Sequence, residues 1–182
     1  TDHGVVQAFP EAYGAVKKTG VKLIPGCEGY LINDAPIIVS DPGEYRIDDT
    51  PIVVLDVETT GLNTSQDEII EIGAVKFTLI EEAGVLKPKI LGKFQTFVNP
   101  SSSIPEEATK VNHITDKMVE GAPDINTCLR KFTGFCGLDS ILVAHNANFD
   151  AGFLRDAYEK NPQLIPANPI IDSFKIVKTI LP

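Results

Sequence analysis

From Pro51 the chain reads PIVVLDVETTGL, an apolar, β-branched run that ends on two carboxylates one residue apart. A near-continuous run of this kind is expected of a central strand buried on both faces. Successive side chains of a strand point to opposite sides, so Asp56 and Glu58 project together, roughly 6.6 Å apart at about 3.3 Å of rise per residue. Both reach one shared pocket. Two carboxylates at the end of an oily strand repel each other and resist desolvation unless a cation neutralises them. Their hard oxygen donors suit Mg²⁺ or Mn²⁺. The TTGL that follows ends the strand abruptly. Gly61 is expected to turn with positive φ and to let a ligand approach, while Thr59 and Thr60 offer hydroxyls and backbone donors.

A third acid comes from far along the chain. In VAHNANFDAGFL, Asp150 falls near the start of a predicted helix, where the N-terminal dipole favours an anion, and Phe149, Phe153 and Leu154 give that helix an apolar face. Its carboxylate is then expected to lean toward the strand end that carries Asp56. Three acids from two remote segments form the scaffold of a two-ion site, in which metals about 3.5 to 4 Å apart activate water and stabilise the departing oxygen of a phosphodiester. Each group also has a plainer reading: the acid pair as a solvated strand terminus, Asp150 as a helix-end charge, His145 as a buried imidazole bonded to backbone rather than a substrate contact. Asn146 and Asn148 read as turn formers, and Glu71 as a core acid or a support for the ligands. His113 is expected to cap local structure. No Ser stands in a GxSxG elbow, so nothing here resembles a nucleophilic triad.

The residues around these acids pattern as an α/β domain. EIIEIGAVKFTLI and KILGKFQTFVNP read as a second and third strand joined through EEAGVLKP as a hairpin connection. Pro105, and Thr115 with Asp116, open two short helices. INTCLRKFTGFCG places Ile125, Leu129, Phe132 and Phe135 or Cys136 on one helical face. SILVAHN is a further buried strand, and IIDSFKIVKTILP a last helix with Asp172 or Ser173 as its N-cap. Between Ser40 and Pro51, SDPGEYRIDDTP reads as a linker or surface crossing. The first 48 residues hold one helix over residues 9–19, stopped by Gly20, and short strands in VKLIPG, YLIND and PIIVS. So small a segment buries too little surface to stand alone.

Charge and cysteine content set limits on function. Sixteen basic residues against twenty-five acidic ones leave a net charge of −9, so a protein that coats DNA through bulk positive charge is excluded. Cations held by the acids supply the positive field that the chain lacks. Cys27, Cys128 and Cys136 have no CxxC spacing and form neither a disulfide framework nor a zinc knuckle. They fit small core positions in a reducing, cytoplasmic setting, and no apolar run approaches the roughly 20 residues needed to cross a bilayer.

VVLDVETTGL with EIIEIGAVKF after it, then FVNP and IPEEATKVNHIT, then LVAHNANFDAGFL, together resemble the DnaQ-like (DEDDh) family of 3′-5′ exonucleases. The similarity runs from about Ile52 to Pro182, in the family's motif order. It implies an α/β fold of the ribonuclease H-like type, a mixed β-sheet flanked by helices, over residues 49–182. The leader TDHGVVQAFPEAYGAVKKTGVKLIPGCEGYLIND is similar to the part of a polymerase-and-histidinol-phosphatase (PHP) domain that precedes the exonuclease inserted in PolC-type DNA polymerase III alpha subunits. That makes residues 1–48 a partial PHP segment with its linker.

Carried over residue by residue, the resemblance makes Asp56, Glu58 and Asp150 catalytic metal ligands for two Mg²⁺ or Mn²⁺ ions. It sets Thr59, Leu62 and His145 beside the terminal nucleotide, and makes Asp2, His3 and Glu28 members of the PHP metal set. The implied partners are a single-stranded or frayed DNA 3′ end, the remainder of a polymerase chain, a sliding clamp and the replisome, with no membrane. The family also uses a general-base histidine and a fourth carboxylate in a His-x-x-x-x-Asp helix, and neither His3, His113 nor His145 begins such a motif. The chain is therefore expected to be an excerpt of a larger polymerase subunit, with little activity by itself. Two alternatives are a non-catalytic binding or scaffold module, which retention of all three acids disfavours, and a freestanding exonuclease or ribonuclease, which the PHP-like leader disfavours.

Overall fold

The computed structural model describes residues 9–24, 39–40, 45–160 and 168–180. The chain falls into two units, Thr1–Pro36 and Ile37–Pro182. In the first, helix α1 spans Phe9–Val16 and is followed by a turn over residues 17–19, with Gly20 at φ +71° as the predicted stop. VKLIPG forms no strand over its described residues, 21–24. YLIND, together with Asp2, His3 and Glu28, lies outside the described residues.

The second unit is built on a six-stranded mixed sheet in the order β1-β6-β5-β2-β3-β4. The strands are β1 (Val39–Ser40), β2 (Ile52–Thr59), β3 (Ile69–Glu82), β4 (Val85–Phe97), β5 (Ile141–Ala144) and β6 (Ile170–Asp172). β2 pairs antiparallel with β3 and parallel with β5, which in turn is parallel to β6. The helices are α2 (Glu106–Asn112), α3 (Asp116–Val119), α4 (Ile125–Cys136), α5 (Asn148–Glu159) and α6 (Ser173–Ile180). The sequence reading missed β6 because its three residues run straight into a helix: Asp172 Oδ1 accepts from Phe174 N at 3.0 Å and caps α6.

One face of β2 is covered along its length. Val53, Leu55 and Val57 of β2 pack with Leu129 and Phe132 of α4 and with Phe153 and Leu154 of α5 in a single buried cluster. Asp124 starts α4 by accepting from Thr127 N at 2.9 Å, and the Thr133 hydroxyl meets the Tyr158 hydroxyl at 2.9 Å between α4 and α5. Cys128 and Cys136 are buried free thiols, as their apolar surroundings predict. The other face is covered at one end, where Ile70 packs with Ile104, Ile114 and Val119 of the α2–α3 region. Neighbouring residues Ile69 and Ile70 thus point into opposite cores. Between them and the strand start the second face of β2 lies open: Val54 is 42% exposed. The expectation that β2 is buried on both faces is therefore corrected, because α4 and α5 lie on one side only.

The connection between β3 and β4 is also tighter than predicted. Pairing continues to Glu82↔Val85, leaving Ala83 and Gly84 as a two-residue turn with φ of 54° and 77°. Positive φ at both positions is the hand that joins twisted strands with least splay. An alanine there bears the cost of a left-handed conformation that asparagine tolerates. Ala83→Asn is expected to stabilise the fold by about 0.5 to 1 kcal/mol, seen as a higher urea midpoint at unchanged slope. A lower midpoint would contradict the turn assignment.

Candidate active site

Parallel β2 and β5 start in register, with Ile52↔Ile141 and Val54↔Val143, and β5 stops at Ala144 while β2 runs on to Thr59, so Asp56 and Glu58 stand just past the end of β5. The carboxyl ends of such strands form the crevice where open α/β sheets bind ligands. Leu55 and Val57 are buried while Asp56 is exposed and Glu58 half-buried, so the two acids share the open face that alternation assigns them. Asp150, in the first turn of α5, is only 2% exposed, and its Oδ1 accepts the Val57 amide at 3.0 Å. Its carboxyl therefore binds the backbone between Asp56 and Glu58, near enough for both to add to its charge repulsion. Glu71 stands opposite Glu58 across the β2–β3 ladder and accepts from Gln95 Nε2 at 2.7 Å.

The loop after β2 is held from within. Thr60 N donates to Glu68 O at 2.9 Å, Asn63 N to Asp67 Oδ2 at 2.8 Å, and Glu68 N to Thr60 Oγ1 at 2.9 Å. Gly61 is not among the described glycines with positive φ. A Cβ there would collide with the Asp67 carboxylate, so close approach by Asp67, rather than a left-handed turn, requires the glycine. Thr59 is buried and its hydroxyl donates to Gly61 O at 2.5 Å, whereas Leu62 projects at 85% exposure.

His145 follows β5 and is exposed, which removes the reading of a buried imidazole. Its Nδ1 meets Ser173 Oγ at 3.2 Å and its ring stands edge-on to Phe174 at 5.3 Å. Asn146 turns with φ +61° and its N–H donates to Asp172 Oδ1 at 3.2 Å, so Asp172 acts as cap and tie. His113 closes α2 in the left-handed conformation, as a capping residue should. Asn112 carried no signal in the sequence, yet its Nδ2 donates to Thr59 O at 3.2 Å from 53 residues away.

Burial pushes the Asp150 carboxyl up to about 6, with Asp56 and Glu58 adding repulsion against the Val57 hydrogen bond. Glu58 is raised in turn by burial, then by Asp56 and Glu71. Among the described residues no three His, Cys, Asp or Glu side chains close around one point as a preformed cage. The donor chemistry nonetheless fits hard divalent cations: all three groups are carboxylates, and each added positive charge relieves the repulsion among them.

Residues 53–182 match the family described as Exonuclease. The chain belongs to the exonuclease family. It is 42% identical over 180 residues to the PolC-type DNA polymerase III of Staphylococcus haemolyticus, and equally to that of Staphylococcus aureus. Each alignment covers 99% of this chain and 12% of the relative, so the chain spans about an eighth of the length of these curated proteins. The metal-free E. coli exonuclease I–ssDNA complex superposes with a TM-score of 0.59 at 12% identity, over 72% of this chain and 30% of that one. Product-bound exonuclease I gives 0.57 at 13% identity, over 71% and 31%. These likenesses establish the fold of this exonuclease unit as α/β and ribonuclease H-like, as its motifs implied.

The raised Asp150 carboxyl makes stability depend on pH. The fold holds this proton more tightly than the unfolded chain does, so its contribution is complete below 3.8 and is lost as pH rises to about 6. Without divalent ions, Asp150→Asn is expected to stabilise the protein near pH 7.5 by up to about 3 kcal/mol. The gain should shrink toward pH 4. Melting curves at both pH values check this, and an equal shift at both would contradict it.

Proposed function

We propose that this chain is the proofreading 3′-5′ exonuclease portion of a PolC-type DNA polymerase III. Residues 1–48 would be its adjoining PHP segment and 49–182 the exonuclease domain. Asp2, His3 and Glu28 would belong to the PHP metal set, and the whole would work in the cytoplasm. The single observation that carries this reading is the Asp150 carboxylate bound to the amide between Asp56 and Glu58. The alignment with PolC-type relatives along 99% of the chain supports the leader assignment as well as the exonuclease one.

Asp56, Glu58 and Asp150 would hold two Mg²⁺ or Mn²⁺ ions. Such ions, when bound, supply a more acidic water and charge stabilisation for the departing oxygen. The chain's own residues do the rest. Leu62 lies against the terminal base through its exposed side chain, Thr59 borders the sugar and phosphate, and His145 stands alongside, oriented by Ser173 and Phe174. The general-base histidine and fourth carboxylate would come from residues beyond this sequence, in the His-x-x-x-x-Asp helix that the family motif calls for. Selectivity for errors follows from fraying, since a mismatched end reaches a single-strand site at lower unpairing cost. A sliding clamp and other replisome components would act on the complete polymerase.

In the complete polymerase, Asp56→Ala is expected to reduce 3′ trimming in Mg²⁺ by more than about 100-fold, a larger loss than removing an outlying support group causes. Nucleotide addition should continue. Trimming near the unmodified rate would instead favour a scaffold role. Deoxy and ribo oligonucleotides with equal 3′ sequences separate a DNA proofreader from a ribonuclease.

A further inference from the structure

The end of β2 is fastened by a side chain that comes from another part of the fold. β2 and β3 slip register between Glu58 and Thr59, so the ladder is irregular where the acids give way to the Leu62 loop. There the Thr59 carbonyl accepts from Asn112 Nδ2 at 3.2 Å. The other end of the same amide accepts the Ile114 N–H at 3.0 Å, and this N–H fixes which way the amide faces. Ile114 is buried with Ile70, Ile104 and Val119, and the corner is closed further by Thr109 Oγ1 donating to Ile114 O at 2.8 Å. Asn112 thus connects a packed core to Thr59, which directly follows Glu58 and opens the segment leading to the exposed Leu62.

We propose that Asn112 is a positioning residue that holds the Thr59–Leu62 segment in register for the 3′-terminal nucleotide. The inference rests on the exonuclease reading above. Asn112 acts through the Thr59 carbonyl, so its loss should weaken engagement of the end more than the chemical step. Asp at this position keeps the acceptor for Ile114 N–H but loses the donor. Leu removes the donor without adding charge. Thr109→Val loosens the same corner while leaving the bond to Thr59.

The test is made in the complete polymerase chain, reading KM and kcat for 3′ trimming. Fluorescence anisotropy of a labelled single-stranded oligonucleotide without divalent ions gives a second readout. Asn112→Asp and Asn112→Leu are each expected to raise KM about 3- to 10-fold, the worth of one hydrogen bond, with kcat within about twofold. The oligonucleotide Kd should rise by the same factor, and Thr109→Val should change neither constant. Unchanged KM and Kd in both Asn112 variants, a rise in Asn112→Asp alone, or an equal rise in Thr109→Val would each overturn the proposal. Asp56→Ala run in parallel separates the two levels: if it keeps trimming, the exonuclease reading fails, and if it abolishes trimming while Asn112 variants are normal, only the positioning role fails.

Discussion

One hydrogen bond joins two stretches of chain that lie 93 residues apart: the Val57 N–H to the Asp150 carboxylate, 3.0 Å long and buried. It is the favourable contact that offsets desolvation and the repulsion of Asp56 and Glu58, which together still leave Asp150 raised to about 6. The rest of the architecture serves that contact. Phe153 and Leu154 anchor α5 in the core beside Val53, Leu55 and Val57, so the start of the helix can only meet the strand at the level of the acids. α4 fills the remaining space on that face, with Phe132 fully buried against Phe94. Apolar residues that carry no charge of their own therefore decide where the acids stand.

The opposite face of the sheet has a different economy. It is closed near the strand end by Ile70, Ile104, Ile114 and Val119, and open where Val54 and Asp56 reach solvent. An acid pair that opens to solvent at Asp56, on a chain of net charge −9, repels a phosphate backbone at long range. A nucleic acid terminus can approach such a face only with cations between the two anionic surfaces. Charge, exposure and donor chemistry thus point the same way. The Leu62 side chain adds an exposed apolar surface in the loop that follows the acids.

Much of this was readable in the residues themselves. Alternation along VVLDVET assigned Asp56 and Glu58 a common side, and the apolar spacing of NFDAGFL put Asp150 at a helix start packed on the core. The errors arose where a local pattern has more than one tertiary outcome. A β-branched run does not reveal that helices cover a single face, so the exposure of Val54 was missed. EEAGVLKP holds enough turn formers to look like a long loop, yet Ala83 and Gly84 alone make the turn and the flanking residues pair. The TTGL pattern suggests a positive φ at Gly61, whereas the side chain of Asp67 occupies the space a Cβ would need. β6 is too short for periodicity to show, and the bond from Asn112 to Thr59 spans 53 residues with no motif to mark it.

The central claim is that Asp56, Glu58 and Asp150 jointly hold divalent cations at the end of β2. Anomalous scattering from Mn²⁺-soaked crystals of the complete polymerase tests it most directly. The account predicts density peaks within coordination distance of all three carboxylates, lost in a crystal of the Asp150→Asn variant. Peaks confined to other acids, such as Asp67 or Asp156, with none beside Asp56 and Glu58, would contradict it.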